Sequence, residues 1–388
     1  MSQLLDDAVA KCAHLSLSVL DTLRPWIERN SYTGDVAGVN AMGDLLVADF
    51  TLPGLSVKRY PGREVGDHLV FTTAAWAEAS PADRIVLVGH HDTVFPPGSF
   101  EGCTLEGDRL QGPGVIDMKG GLVTIHLALS TLASLGVLAK LPLAFVCVGD
   151  EEIGSPESES VLVDVATGAG GALVFEAGRA EDAIITRRKG TGSLRVQVTG
   201  TSAHAGNHHK EGINAIWAMS HLVVAVQELT DYDKGVTVNV GTIQGGEARN
   251  TVPHHAECQI DFRLVRAEDG EAVVEEVRAL AKRVAATTKT EIEVTGGVRR
   301  LPMERSDASG ALCKRYAEAA KASNLGYSEA ALLGGGSDAN TVSTLGVPAI
   351  DGLGPRGRGF HTHDEHIEVS SLALRAEARV RFLVGWGE

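Results

Sequence analysis

Three short apolar runs in the first half of the chain each end in histidine or acidic residues. They are residues 85–88, followed by His90-His91-Asp92, residues 141–148, followed by Asp150-Glu151-Glu152, and residues 172–175, followed by Glu176. A helical pattern over residues 121–138 separates the first two runs. Fully apolar runs that alternate with helices are typical of a mostly parallel sheet, which binds ligands beyond the carboxyl ends of its strands. We therefore predict an α/β domain whose histidines and acids converge at that edge.

The pattern changes at about residue 189 and returns at about residue 301. Strands and helices follow in the order strand–helix–strand–strand–helix–strand, over residues 193–199, 213–229, 236–243, 256–264, 267–287 and 292–294. This is the order of a split βαβ, ferredoxin-like α+β module. The sequence thus predicts an inserted domain at 188–300 within a discontinuous domain formed by 1–187 and 301–388.

Composition narrows the classes of function. The chain has 388 residues, with 35 Lys and Arg against 50 Asp and Glu, a net charge of −15. An acidic protein lacks the basic face that a nucleic-acid partner requires. The first 20 residues lack the features of a signal peptide. The sequence also has no run of about 18 apolar residues, so we expect no membrane span. Five widely spaced cysteines indicate reduced thiols, so we expect a cytoplasmic protein with neither nucleic acid nor membrane as partner.

Two of the polar segments suit a metal centre. In His90-His91-Asp92 the histidine at the start could bind a metal while Asp92 accepts its other ring N–H and fixes the tautomer. The alternative is a merely polar strand end. Asp117 lies among glycines at 112–121 that would let the backbone approach a ligand closely. Because a helix follows, Asp117 could equally be an N-cap.

The acidic segment after the second run suggests catalysis as well as binding. Adjacent acids such as Asp150, Glu151 and Glu152 repel one another at the end of a buried strand unless a cation or protons compensate. A surface turn is the alternative. Such acids allow a division of labour, in which one binds a metal and its neighbour accepts a proton from metal-bound water. Glu176 adds a carboxylate at the same edge.

The tail at 361–366 contributes three histidines, among which the sequence alone does not choose. Together the segments supply a mixed set of imidazole and carboxylate groups: His90, Asp117, Glu152, Glu176 and one tail histidine. With one bridging aspartate, such a set is what two zinc ions roughly 3.5–4 Å apart need. The sequence therefore predicts a site for two metal ions, zinc by preference, with cobalt or manganese as alternatives.

The motifs GHHDTV, GPGVIDMKGG, DEEIGS, SAHAG, GGGSDA and FHTHDEH occur in this order between about Thr33 and the C-terminus. They resemble the zinc-dependent carboxypeptidase and deacylase family, which includes glutamate carboxypeptidase (carboxypeptidase G), acetylornithine deacetylase and succinyl-diaminopimelate desuccinylase. The resemblance implies an α/β dizinc domain, an inserted ferredoxin-like lid or dimerisation domain, and a homodimer that forms through this insertion.

The resemblance also implies roles for the metal-site residues. Glu151 would be the general base, Asp92 would orient His90, and Asp117 would bridge both metals, with a cis peptide bond after it. The implied ligands are His90, Asp117, Glu152, Glu176 and His361, the last standing four residues before Glu365 as the family's closing motif requires. His91, His363 and His366 would not be ligands. A glutamate at position 176, where relatives carry Asp or Glu, favours the glutamate carboxypeptidase type.

In the inserted domain the resemblance points to substrate contacts. His204 would stabilise the oxyanion, often across the dimer, or else belong to a polar turn. Arg188, Asn250 and Arg263 would contact the substrate carboxylate, a task that suits the arginine fork, although Arg263 could instead be a strand-surface residue. The glycine-rich turn that contains Gly336 and Ser337 could donate N–H groups to substrate, or be a tight loop with Asp338 as a helix cap.

These features predict a zinc hydrolase that cleaves the amide bond of a small substrate with a free carboxylate. The favoured activity is carboxypeptidase-like release of a C-terminal amino acid, with glutamate preferred, from a small peptide. An N-acyl-amino-acid deacylase of the acetylornithine deacetylase or desuccinylase type is the alternative. A non-catalytic metal-binding or interaction protein would have lost the base or a ligand, and this chain keeps each of them.

Overall fold

The computed structural model describes residues 2–386 and divides the chain into two compact units. The first comprises Met1–Arg187, Arg305–Leu332 and Ser337–Glu388, and the second comprises Arg188–Glu304 and Leu333–Gly336. The glycine-rich segment Leu333–Gly336 belongs to the second unit. Its backbone is hydrogen-bonded to the beginning of that unit, where Lys189 N–H donates to the Leu333 carbonyl. Met1, Gly387 and Glu388, which the predicted catalytic domain includes, lie outside the described residues.

Helices and strands are distributed along the whole described chain. The helices are α1 (Ser2–Ser16), α2 (Val19–Glu28), α3 (Val36–Asp49), α4 (Gly120–Ser134), α5 (Glu159–Ala166), α6 (Ala215–Gln227), α7 (Ala267–Thr288), α8 (Asp307–Ala322), α9 (Asp338–Thr344) and α10 (Ser370–Val384). The strands are β1 (Leu55–Tyr60), β2 (His68–Thr73), β3 (Ile85–His90), β4 (Thr104–Glu106), β5 (Arg109–Gln111), β6 (Leu143–Val148), β7 (Gly171–Val174), β8 (Gly190–Thr199), β9 (Ala203–His204), β10 (Thr237–Gly245), β11 (Thr251–Val252), β12 (His255–Leu264), β13 (Glu291–Arg300), β14 (Ala349–Ile350), β15 (Gly357–Arg358) and β16 (His366–Glu368).

The first unit is built on a six-stranded sheet in the order β1-β2-β6-β3-β7-β14. Strands β6, β3, β7 and β14 are parallel, and β1 and β2 add an antiparallel edge. The predicted mostly parallel sheet is therefore confirmed. Because β6, β3 and β7 are neighbours, the polar residues that follow each of them reach the same edge.

A small antiparallel sheet, β15-β16-β5-β4, brings the tail to this edge. In its register His366 pairs with Gln111, so the histidine-rich segment lies beside the chain that leads to Asp117. The pairing is too short for the hydrophobic pattern to predict, since β16 has three residues.

Helix α4 is apolar around most of its circumference because it lies in the core. The segment Val115–Ser134 is long and apolar enough to cross a membrane by length and composition, but 83% of its apolar window is buried within the fold. It packs among buried residues of α1, α10 and the central sheet. Burial on all sides explains this composition in a globular domain.

The second unit has a four-stranded antiparallel sheet in the order β10-β12-β8-β13, packed against α6 and α7. Its chain order, β8-α6-β10-β12-α7-β13, is the predicted split βαβ arrangement. Strand β13 is longer than the predicted 292–294, because it continues through Gly296 and Gly297. Gly296 has φ +96°, and a Cβ there would lie 2.3 Å from the Ser193 carbonyl oxygen, so only glycine allows the pairing to continue.

Candidate active site

Asp117 lies at the centre of a cluster at the carboxyl edge of the central sheet. Its Oδ1 is 3.2 Å from His90 Nε2, and its Oδ2 is 3.3 Å from His361 Nε2. His361 Nε2 is also 3.2 Å from Glu152 Oε2, and His90 Nε2 is 3.8 Å from Glu176 Oε1. The geometry is that of two half-sites, each with one imidazole and one glutamate, which share the Asp117 carboxylate.

The donor set fits metal ions. One ligand atom each from His90, Asp117 and Glu152 lies within 4.8 Å of the others, and the same holds for His90, Glu151 and Glu176. Glu152 Oε1 is buried and has no hydrogen-bond partner among residues 2–386. A buried carboxylate oxygen without a partner is costly, and a bound cation would remove that cost.

Protons compensate this charge in the metal-free chain. Burial, followed by repulsion from Asp117, raises the pKa of Glu176 well above its usual value, and burial also raises the pKa of Glu152. Hydrogen bonds to Asp117 and Glu152 raise the pKa of His361 to about 10. Burial would lower the pKa of His90, but hydrogen bonds to Asp117 and Asp92 outweigh it and raise that pKa. Divalent cations would replace these protons.

Asp92 connects the first histidine with the acidic turn. Its buried carboxylate accepts hydrogen bonds from the Thr33 hydroxyl at 2.7 Å and from the backbone N–H groups of Glu151 and Glu152, both at 3.2 Å. His90 Nδ1 is 3.0 Å from the Asp92 carbonyl oxygen and 3.4 Å from its carboxylate. Asp92 therefore fixes the ring of His90 mainly through its backbone, and fixes the Glu151 turn through its side chain.

Glu365 also belongs to this site, although the sequence analysis assigned no role to it. It is fully buried, and its carboxylate accepts hydrogen bonds from the N–H groups of Gly114, Ile116 and Asp117 at 3.0, 2.9 and 3.1 Å. Burial raises its pKa to about 7 despite these bonds. Glu365 thus holds the turn that presents Asp117, and the Asp117–Met118 peptide bond in this turn is cis, as the resemblance implied. Its spacing from His361 was the only signal in the sequence.

The remaining histidines of these motifs lie elsewhere. His91 is buried with Nδ1 3.5 Å from Cys147 Sγ, and burial lowers its pKa to about 3. The ring of His363 lies 5.4 Å from that of Phe100, and His366 Nδ1 is 2.7 Å from the Asp364 carbonyl oxygen. Distances place His90 and His361 in the cluster and these three outside it.

In the second unit His204 has a defined tautomer. Its Nδ1 accepts hydrogen bonds from the N–H groups of Gly206 and Asn207, both at 3.1 Å, and the side chain is exposed. A ring nitrogen that accepts must be unprotonated, so in the neutral ring Nε2 carries the proton. His204 therefore presents a donor to its surroundings.

The predicted carboxylate contacts occupy different environments. Arg188 is buried and donates from Nη1 to the Gly335 carbonyl at 3.1 Å, which ties it to the glycine-rich turn. Asn250 is exposed, and its backbone carbonyl accepts a hydrogen bond from Ala205 N–H. Arg263 already forms two 2.8 Å hydrogen bonds to Asp261.

The end of the glycine-rich turn divides between the two units. Gly336 is half-buried and belongs to the second unit. Ser337 is the N-cap of α9 in the first unit, and its buried hydroxyl donates to Asp351 at 2.7 Å. The Ser337 side chain is thus committed to an internal hydrogen bond, and its backbone N–H donates to Asn340 Oδ1 at 3.0 Å.

The chain is similar to known peptidases and to a desuccinylase. Residues 186–289 match the family model of the peptidase dimerisation domain. The chain is 29% identical to carboxypeptidase G2 of Pseudomonas sp. (strain RS-16), over 95% of this chain and 89% of that protein. It is 26% identical to succinyl-diaminopimelate desuccinylase of Thiobacillus denitrificans, over 99% and 98%.

The chain resembles the peptidases of the M20 family. In fold it is also similar to the M20 metallo-carboxypeptidase Sso-CP2 of Sulfolobus solfataricus, with a TM-score of 0.74 at 18% identity over 95% of this chain and 99% of that one. A tripeptidase of Staphylococcus aureus has a TM-score of 0.81 at 22% identity, over 96% and 98%. These similarities support a metal-dependent hydrolase of amide bonds, and the cluster around Asp117 is its candidate metal centre.

Glu365→Gln tests the support of the Asp117 turn. The substitution puts an NH2 group where an oxygen accepted backbone N–H bonds, so at least one buried donor loses its partner. We expect zinc affinity to fall roughly 10–100-fold, measured by competition with a chromophoric chelator, and the metal-free protein to melt at a lower temperature. Glu368→Gln, on the exposed side of β16, is the control. Unchanged affinity and melting in Glu365→Gln would show that the turn holds its shape without this carboxylate.

Proposed function

We propose that the protein is a dizinc carboxypeptidase that releases a C-terminal amino acid, glutamate by preference, from a small peptide. The observation that carries the proposal is the Asp117 carboxylate between His90 and His361, with a glutamate at each half-site and Glu151 alongside. The similarity to carboxypeptidase G2 over nearly the whole chain supports the choice of substrate.

Two metal ions are expected to divide the ligands between them. His90 and Glu176 would hold one, His361 and Glu152 the other, and Asp117 would contact both. Mixed imidazole and carboxylate ligands suit zinc, with cobalt or manganese as alternatives. When bound, the metals supply Lewis acidity toward the scissile carbonyl and toward water.

Glu151 is the general base in this proposal. The Asp92 carboxylate holds its backbone N–H, and a ligand atom of Glu151 lies within 4.8 Å of those of His90 and Glu176. From this position its carboxylate takes the proton of the attacking water and returns it to the departing amine. The adjacent Glu152 faces His361 instead, so the two glutamates have separate tasks.

The second unit is expected to hold the substrate. His204 carries its donor on Nε2, which suits a group that stabilises the oxyanion. Arg188, Asn250, Arg263 and the backbone at Gly336 and Ser337 would bind the substrate carboxylate. Because Asp261 already occupies the fork of Arg263, a substrate carboxylate would compete with Asp261 for it.

An N-acyl-amino-acid deacylase is the second candidate. The similarity to succinyl-diaminopimelate desuccinylase, which extends over 99% of this chain, supports it. The metal centre and Glu151 would perform the same chemistry on an acyl group, so only the substrate distinguishes the two candidates.

Assembly as a homodimer through the inserted domain completes the proposal. Helix α6 exposes Ile216, Trp217 and Val224, by 40%, 50% and 65%, and the edge strand β10 beside it exposes Ile243 by 57%. An open strand edge next to exposed apolar side chains is a surface that proteins usually cover, and a two-fold partner would cover it symmetrically. The five free cysteines support a cytoplasmic location.

A substrate panel with a base variant tests the activity. The zinc-loaded protein is expected to release glutamate from folyl- or dipeptide-type substrates faster than it deacylates N-acetyl or N-succinyl amino acids. Glu151→Gln should keep its zinc and lose about 10²–10⁴-fold in rate, because the amide cannot accept the water's proton. The opposite preference would favour the deacylase, and near-normal turnover by zinc-loaded Glu151→Gln would contradict the role of the base.

Metal analysis tests the ligand set. His90→Ala and Glu152→Ala should each lower zinc stoichiometry, because each removes a donor atom from a half-site. His91→Ala is the matched control, because the side chain of His91 contacts Cys147 instead. This variant should keep zinc at the wild-type level. Equal losses in His90→Ala and His91→Ala would mean that the wrong histidine was chosen.

Subunit mixing tests whether His204 acts across the dimer. Glu151→Gln and His204→Ala homodimers should each be nearly inactive, whereas a hybrid dimer would contain one site with both groups intact. Mixing the two is therefore expected to restore part of the activity, up to about half in a hybrid dimer if each dimer has two independent sites. If exchange of subunits is verified and activity stays absent, His204 acts within its own chain, whereas an active His204→Ala homodimer would show that it has no catalytic role.

A further inference from the structure

Two arginines of α10 are buried, and neither is a predicted site residue. Arg375 and Arg379 lie one turn apart on α10, with 1% and 0% of their surfaces exposed. Tyr316 of α8 is fully buried close enough to both for their charges to lower its pKa, although burial raises that pKa overall. Arginine is rarely buried completely without a counter-charge, so this cluster requires a partner.

Several donors in the cluster lack acceptors. Within residues 2–386, no hydrogen-bond partner exists for Arg375 Nε, Arg379 Nε, Arg379 Nη1 or the Tyr316 hydroxyl. Arg379 Nη2 makes a long bond of 3.4 Å to the Leu353 carbonyl, and the guanidinium lies 3.9 Å from the centre of the Phe175 ring. Neither contact supplies a negative charge.

The carboxylate that contacts Arg375 has no acceptor position left for Arg379. Asp182 accepts two bonds from Arg356, at 2.8 and 2.5 Å, one from Arg375 Nη2 at 3.0 Å and one from Gly326 N–H at 3.0 Å. A carboxylate offers about four acceptor positions, so none is left for Arg379. Burial lowers the pKa of Arg379 to about 10, which still leaves it protonated at neutral pH. The cluster therefore carries more positive than negative charge.

We propose that the unpartnered donors of Arg375, Arg379 and Tyr316 bind a small monovalent anion, chloride under ordinary conditions. All the unpartnered atoms are donors, and an anion can accept from every one of them. Water would accept some of these bonds but would leave the surplus charge in place. The anion would fix α10 against α8 and against Phe175, which directly precedes Glu176 of the candidate metal centre.

Thermal unfolding of metal-free protein measures the effect of the anion. With EDTA present, melting temperature is compared in sodium chloride and sodium gluconate at equal ionic strength. We expect chloride to raise it by on the order of 2–4 °C once the anion is well above its dissociation constant. Crystals grown in sodium bromide should show an anomalous peak within contact distance of both arginines and Tyr316.

Variants separate the site from general salt effects. Tyr316→Phe removes one donor and should shift the chloride dependence to concentrations about 10-fold higher. Arg379→Met should abolish the dependence, and Arg381→Met, which removes a partly exposed arginine paired with Glu377 on the same helix, should keep it. If Arg379→Met does not fold, Tyr316→Phe and the bromide crystal still decide. Identical melting in chloride and gluconate without a bromide peak, or loss of the response in Arg381→Met, would overturn the proposal.

Discussion

The crowding of carboxylates at one edge of the central sheet is the constraint on which the rest of the first unit depends. Asp117, Glu152 and Glu176 approach one another in a place where water cannot screen them. Such groups cannot all be ionised unless cations or dedicated hydrogen bonds compensate their charge. The fold provides both. Imidazoles face the carboxylates of this cluster, the inner carboxylates, and backbone N–H groups face the surrounding outer carboxylates, Asp92, Asp150 and Glu365.

The outer carboxylates explain why the loops have their particular shape. Asp92 and Glu365 each receive backbone N–H groups from a neighbouring loop, and Asp150 receives those of Glu157 and Ser158. Asp92 and Glu365 thereby order the turns that carry Glu152 and Asp117, and Asp150 ties the acidic turn to the segment that leads into α5. Precise placement of reacting groups depends on such supporting bonds, because loops alone are more mobile than the sheet beneath them.

Much of this arrangement could be predicted from the pattern of the sequence, for identifiable reasons. Three apolar runs that end in acids or histidine indicated neighbouring parallel strands, and parallel strands bring their carboxyl ends to one edge. The alternation of side chains along a strand suggests that His90 and His91 point in different directions, but it could not indicate which of them faces Asp117. Nor could it indicate that β16 pairs with β5 to bring His361 beside Asp117. Glu365 was also beyond such analysis, since its role depends on three N–H groups about 250 residues away in sequence.

The same electrostatic rule acts with opposite sign on the other side of the sheet. There Arg375 and Arg379 are buried, and among residues 2–386 the carboxylate that contacts the pair is Asp182, which Arg375 shares with Arg356, in a chain whose net charge is −15. An acidic surface cannot neutralise a guanidinium that has left water, because compensation in a low-dielectric interior requires direct contact. Phe175 and Glu176 are adjacent in sequence and face these two environments, so one strand end separates a cluster that needs cations from a cluster that needs an anion.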